Sequence, residues 1–350
     1  VAVLEAFKYD RFFSFASWPM SNSSPSLLRT ALATGTALAG AYAGLSAAKW
    51  AYQRNLSSSL SLPPALALSP RPFEAPDGRV QCYARAGSGP PVVVLHSFNA
   101  VASSRELAPV VEHVASKTDR PIYALDWLGF GRSERAAIDY RPGVYRRQLY
   151  HFLTEVPRTP VDLIALSLGS EYAAQVALQA APLVRRLVLV SPTGLGATRG
   201  LSAVGKLGLS LADNAGVFEL LYYRLTRRAS LRDYYARQIF LDPDAIPAPL
   251  LDYAEQTAHV RGAHRAPLRF VDGTLKLDDA ASLYARLYRP TLFLTPSTPG
   301  PTVQSFDRLP EVLTQNERDA SHKSLPGGLL PHWEAPTPFF RALDEFLNLR

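Results

Sequence analysis

Between residues 78 and 190 the chain alternates short, wholly apolar runs with amphipathic helical ones. PVVVLH (Pro91 to His96), PIYALD (Pro121 to Asp126), VDLIAL (Val161 to Leu166) and RLVLV (Arg186 to Val190) carry few polar residues. Strands covered on both faces need that pattern. Ser103 to Ser116, Pro142 to Val156 and Leu168 to Ala181 show helical spacing between them, and Pro142 suits a first turn. Gly78 to Ala86 adds a partly alternating strand ahead of the series. Such alternation predicts an α/β fold: a mostly parallel, doubly wound sheet covered by helices. Composition agrees, since 47% hydrophobic and 19% charged residues exclude a disordered chain.

The rhythm breaks after the strand ending at Val190. Residues 195 to about 288 hold no buried-strand run but several helical ones, such as Val217 to Tyr223 and Ala280 to Leu287. Thr291 to Leu294 resumes the sheet, and Thr337 to Leu347 closes the chain as a helix. The expected organisation is one domain over 73–350 with a helical cap over about 195–288. Such a cap would sit above the carboxyl ends of the strands, where open sheets bind ligands.

The first fifth is different. Residues 27–50 contain ALATGTALAGAYAGLSAA (Ala31 to Ala48), uncharged and bounded by Arg29 and Lys49. This is about the length of one bilayer crossing. It is read as a single membrane anchor, with a cleaved signal peptide (Ala41-Tyr42-Ala43 as the small-residue site) or a helix of a soluble protein as the alternatives. As an anchor it leaves the side of the membrane open; as a signal it implies secretion or a periplasmic location. Residues 51–72 are expected to be a linker, Ser/Leu/Pro-rich from Asn55 to Pro72. Residues 1–26 form a leader, and the single methionine, Met20, suggests translation starting there.

The chemistry-bearing motif is Ala165-Leu166-Ser167-Leu168-Gly169, at a strand-to-helix junction. A serine there sits on a strained turn that exposes its hydroxyl, and its neighbours two away must be small because strand and helix nearly touch. VVVLHSFNA, LDWLGFGRSE, RRLVLVSPTG and LLPHWEAPTPFFRALDEFL extend the pattern in order. On these segments the chain resembles the α/β-hydrolase superfamily over about residues 73–350. The resemblance implies Ser167 as nucleophile and the backbone N–H groups of Phe98 and Leu168 as oxyanion donors.

Several family positions are changed. The usual His-Gly pair is His96-Ser97, and Leu128 replaces a proline. Thr295-Pro296-Ser297-Thr298-Pro299-Gly300, where the acid normally follows the seventh strand, holds no carboxylate; Asp307 and Glu311 come later. Aligned on Gly328, Pro331 and Glu334, the histidine slot holds Leu329. The triad is therefore degenerate. His332 is the expected base from a shifted position, His322 a second candidate, and a structural histidine the alternative. Asp126 is expected to cap the turn after its strand rather than to act in catalysis.

The net charge of +7 is spread, with no Lys/Arg block, so no nucleic-acid partner is expected. Cys82, alone, excludes an intramolecular disulfide and a multi-thiolate metal site. His259 and His264 lack a carboxylate to complete a metal site, and no phosphate-cradling glycine loop is present; no cofactor or metal is expected. Arg224, Arg227, Arg228 and Arg232 with Tyr222, Tyr223, Tyr234 and Tyr235 suggest a solvated helix face with aromatic packing, or a surface for anionic lipid. The resulting expectation is a membrane-anchored serine hydrolase, esterase- or lipase-like, acting on a small apolar acyl ester through Ser167. The alternative is a non-catalytic protein of the same fold that binds a lipid-like ligand or a protein partner, with a tethered scaffold as a remote third reading.

Overall fold

The computed structural model describes residues 40, 43–44, 46–196, 208–210, 213, 217–297, 304–316 and 319–349. Eight strands form one sheet: β1 (Ser69–Ala75), β2 (Gly78–Arg85), β3 (Val92–Leu95), β4 (Ile122–Leu125), β5 (Val161–Leu166), β6 (Val184–Val190), β7 (Thr291–Pro296) and β8 (Ala320–Leu325). Their spatial order is β1-β2-β4-β3-β5-β6-β7-β8. β2 runs antiparallel to β1 and β4, and every other pair is parallel. The apolar runs occupy the middle: every residue of β3 and β5 is buried.

The helices are α1 (Ala108–Lys117), α2 (Pro142–Glu155), α3 (Gly169–Gln179), α4 (Val217–Leu225), α5 (Arg228–Gln238), α6 (Ala248–Ala258), α7 (Arg265–Val271), α8 (Ala280–Ala285), α9 (Leu309–Gln315), α10 (Pro331–Glu334) and α11 (Pro336–Leu347). Helices α2, α3, α8 and α9 pack in a row over one face of the sheet. On the other face α1 meets α11, where His113 Nε2 bonds Asp344 Oδ1 at 2.6 Å and its ring stacks on Phe340. Between β6 and β7 the named elements among the described residues are all helices.

The chain divides into two compact units, one of Ser57–Thr198 with Thr226–Arg350 and one of Val1–Leu56 with Arg199–Leu225. Within the second, residues 46–53 are helical and pair with α4. Lys49 Nζ lies 3.0 Å from Glu219 Oε2, Gln53 Nε2 donates to Glu219 Oε1 at 2.7 Å, and Tyr52 stacks on Tyr223. Most of the 27–50 anchor or signal segment, and all of 1–26, lie outside the described residues. Among the described residues no helix is long and apolar enough to cross a membrane.

The linker reading of 51–72 is corrected for its second half. Leu62, Ala65 and Leu66 are buried, Ala65 N donates to Tyr83 Oη at 3.2 Å, and β1 already begins at Ser69. The domain therefore starts at about Ser57 rather than at residue 73. Pro, Ser and Leu disguise this stretch because an edge strand tolerates proline where a central strand does not. β8 also went unforeseen: its sequence, ASHKSL, is exposed along most of its length.

Candidate active site

The site is built around the turn between β5 and α3. Ser167 adopts φ +55°, a left-handed conformation that a non-glycine residue holds only under strain. Its N–H donates to Val190 O at 2.9 Å, and the Ser170 hydroxyl donates back to Ala165 O at 3.1 Å, fixing both sides of the turn. The small-residue rule holds in the contacts. A Cβ on Gly169 would stand 2.8 Å from the carbonyl oxygen of His96, so helix and oxyanion loop touch there. Gly169→Ala is expected to cost about 1–3 kcal/mol through overpacking. Thermal unfolding of the variant checks it, and an unchanged melting temperature would refute the close contact.

Phe98 reaches its place through its ring. The side chain is buried among Trp127, Phe130, Tyr145 and Tyr172, with centroids 4.8–5.4 Å away. Among the described residues, neither the Phe98 N–H nor the Leu168 N–H donates to a protein acceptor, and the Ser167 hydroxyl makes no hydrogen bond. The predicted nucleophile and both predicted oxyanion donors thus have free hydrogen-bonding capacity.

The histidines occupy other positions. His96 Nδ1 donates to Ser97 O at 2.6 Å and Nε2 accepts from Trp127 N at 3.0 Å, so the ring is a neutral brace of the loop. Burial pushes its pKa down to about 4. His322 lies on β8 with Nε2 2.8 Å from Thr295 Oγ1. His332, on α10, is buried; Nε2 donates to Glu106 O at 2.7 Å, and Trp333 Nε1 donates to the same carbonyl at 2.8 Å. That bond fixes the proton on Nε2 and leaves the lone pair on Nδ1, which has no hydrogen-bond partner among the described residues. Burial lowers the His332 pKa to about 4. Both buried rings therefore favour folding fully only above the ordinary histidine pKa, and this contribution is lost as pH falls through about 4. No hydrogen bond joins His332 to Ser167.

Leu329, in the usual histidine slot, is held by its backbone: its N–H donates to Ile239 O at 2.7 Å and its carbonyl accepts from Ser191 Oγ at 3.0 Å. Asp307 and Glu311 are exposed; Glu311 pairs with Arg308 at 3.3 Å. Asp126 is fully buried and caps its turn. Oδ1 accepts from Ser104 N at 2.8 Å, and Oδ2 from Arg132 N at 2.9 Å and Tyr83 Oη at 3.1 Å. The altered Pro position has a reason too: Leu128 N donates to Gln148 Oε1 at 3.0 Å, a bond proline could not make.

In the sequence, Glu334 served only as an alignment anchor, and neither Glu106 nor Glu171 was singled out. Glu334 clasps the loop, accepting from Gly328 N with Oε2 and from Leu241 N and Asp242 N with Oε1. Glu171, one turn after the nucleophile, accepts from Thr193 Oγ1 at 2.5 Å and Leu277 N at 2.8 Å; burial raises its pKa to about 7. Glu106 stands beside the oxyanion loop. The only sequence signal for it is a charge in an otherwise apolar helical face. The basic–aromatic cap segment divides by exposure: Tyr222, Tyr223 and Tyr235 are buried, whereas Arg224, Arg227, Arg228 and Arg232 face solvent. Cys82 is buried, which pushes its thiol pKa up to about 12. Among the described residues, no group of three His, Cys, Asp or Glu is placed to hold a metal ion.

The profile of the alpha/beta hydrolase fold family matches residues 90–267, half of the chain. The chain belongs to that family. An uncharacterized protein of Mycobacterium tuberculosis (strain ATCC 25618 / H37Rv) is 30% identical over 135 residues, 39% of this chain and 38% of its own length. A 2-hydroxy-6-oxo-6-(2'-aminophenyl)hexa-2,4-dienoic acid hydrolase of Metapseudomonas resinovorans is 31% identical over 114 residues, 32% of this chain and 39% of its own length. The match thus spans under half the length of these curated relatives. Among solved structures, a probable hydrolytic enzyme of Pseudomonas aeruginosa PAO1 superposes with a TM-score of 0.61 at 17% identity, over 84% of this chain and 99% of that one. The enol-lactonase of Burkholderia xenovorans LB400 gives 0.61 at 14% identity, over 79% and 100%. These likenesses establish the α/β-hydrolase fold, with hydrolases as its neighbours.

Proposed function

We propose that the protein is a serine hydrolase that cleaves an apolar acyl ester through Ser167. The observation that carries this reading is the strained Ser167 turn, with a free hydroxyl beside two unengaged backbone donors. Ser167 Oγ would attack the acyl carbonyl carbon. As the carbon–oxygen π bond breaks, the negative oxygen would be held by the N–H groups of Phe98 and Leu168. The hydroxyl proton needs an acceptor, and His332 Nδ1 would serve, its lone pair left unengaged by the bond of Nε2 to Glu106 O. Glu106 O then replaces the usual carboxylate as the group that sets the tautomer. The leaving alkoxide takes the proton, and water then frees the acyl group from the serine.

Names among the structural neighbours, such as an enol-lactonase and a thioesterase domain, favour a carbonyl-centred substrate. The apolar segment within 27–50 supports an anchored protein meeting such substrates at a membrane. A second reading, a binding protein of the same fold, is favoured by Leu329 in the histidine slot and by the commitment of His332 Nε2 to a backbone carbonyl.

A fluorophosphonate probe separates the two. The expected result is a covalent adduct that peptide mass spectrometry places on Ser167, absent from Ser167→Ala and slowed in His332→Ala. No adduct, under conditions where a control serine hydrolase reacts, refutes the hydrolase.

A further inference from the structure

We propose that Glu106 is the positioning residue of the oxyanion loop, and that its carboxylate form holds the Phe98 N–H in register with Ser167. The proposal rests on the hydrolase reading above and adds a residue and a pH dependence to it. Glu106 is buried in the short helical turn Ser104–Leu107 that precedes α1. Its Oε2 accepts from Ser97 N at 3.0 Å, and its Oε1 from Ser97 Oγ at 2.9 Å and Asn99 Nδ2 at 2.8 Å. Asn99 Nδ2 also reaches Ser97 Oγ, and Asn99 Oδ1 accepts from Val101 N at 2.7 Å. One carboxylate thus grips the residues on both sides of Phe98. Every group that bonds it is a donor, which is the arrangement an anion requires and a protonated acid would break.

The same residue ties the loop to the far end of the chain. Its backbone carbonyl accepts from both His332 and Trp333. Nucleophile-side and base-side geometry therefore share one anchor. The Ser97 hydroxyl, where the family usually has glycine, is one of the three donors, so this departure from the pattern gains a role.

The groups around Glu106 set its titration. Burial opposes its ionisation most, the bonds from Ser97 and Asn99 favour it, and Asp126, just after β4, opposes it weakly. From α5, Tyr234 and Tyr235 face it and have their own ionisation suppressed by burial and by the Glu106 charge. His332, bonded to its backbone, stays neutral across this range. The balance puts the carboxyl at about 7, well above an ordinary glutamate. Below that pH the loop loses its anionic grip; above it the grip is complete. Burial pushes the His332 pKa down to about 4, well below this range.

The test measures the rate of fluorophosphonate labelling against pH, together with hydrogen–deuterium exchange protection of residues 97–101 on either side of the inflexion. In the unmodified protein both should rise with pH through about 7. Glu106→Gln should remove both inflexions and slow labelling on the order of 10–100-fold at high pH, since an oxyanion donor is displaced rather than deleted. Ser97→Ala covers the case of a Gln variant that does not fold. It removes one donor to the anion, so both inflexions should move to higher pH. A protein that labels on Ser167 with unchanged inflexions in both variants overturns the role of Glu106 and leaves the hydrolase standing. A protein that never labels overturns the hydrolase, while the exchange profile of 97–101 still decides whether Glu106 holds the loop.

Discussion

Asp126→Ala is expected to lose about 3–5 kcal/mol of stability, because removing one partner of a buried charged network strands the others. The stranded donors are Ser104 N, Arg132 N and the Tyr83 hydroxyl, drawn from three parts of the chain. Gly131, at φ +50°, packs so close that a Cβ there would stand 2.1 Å from the Asp126 carboxyl carbon. Urea denaturation should show a lower midpoint with an unchanged slope. A catalytic aspartate would behave oppositely, keeping the midpoint and losing the reaction. A loss under about 1 kcal/mol would show that water replaces the carboxylate and that the turn holds itself.

Trp127→Ala should be comparably costly, about 3–5 kcal/mol, as expected for truncating a fully buried large aromatic. The indole does two jobs. Its ring packs against Phe98, Tyr145 and Tyr172 at 5.4–5.9 Å, and its Nε1 donates to His96 O at 3.0 Å. The same carbonyl is the one that Gly169 approaches, so the Trp127 ring supports the elbow from behind. Trp127→Phe keeps most of the ring volume and drops only the hydrogen bond. The difference between the two variants in calorimetric unfolding separates packing from the bond. Equal losses would mean that the bond, not the ring, dominates.

The interior of the fold was legible because its physics is periodic. Short apolar runs such as VDLIAL and PVVVLH suit strands sealed on both faces, and the structure places them at the centre of the sheet. The edges were not, for the same reason: SPRPFEA and ASHKSL are half in water, so no apolar rhythm marks them. At the site, the strained turn at Ser167 follows from the small residues around it, whereas the roles of Phe98 and Leu168 came only with the family resemblance. The empty histidine and acid slots were also visible. What the sequence could not show is where a displaced side chain points. His332 is three residues from its slot, yet its Nε2 bonds a carbonyl 226 positions away. Glu106 is invisible for a related reason, since only the folded loop brings Ser97 and Asn99 to it.

The outer strand has one more consequence. In β1, Pro70 and Pro72 lie two residues apart, so their backbone nitrogens share one edge of the strand, and neither carries an N–H. Proline on an edge strand turns its nitrogen to the outer side, and that side then offers no donor at two successive positions. An open sheet is a template for its own polymerisation wherever its margin is complete. Here the margin is interrupted by covalent chemistry rather than hidden under another element, so this side of the sheet resists edge-to-edge assembly without a protective cover.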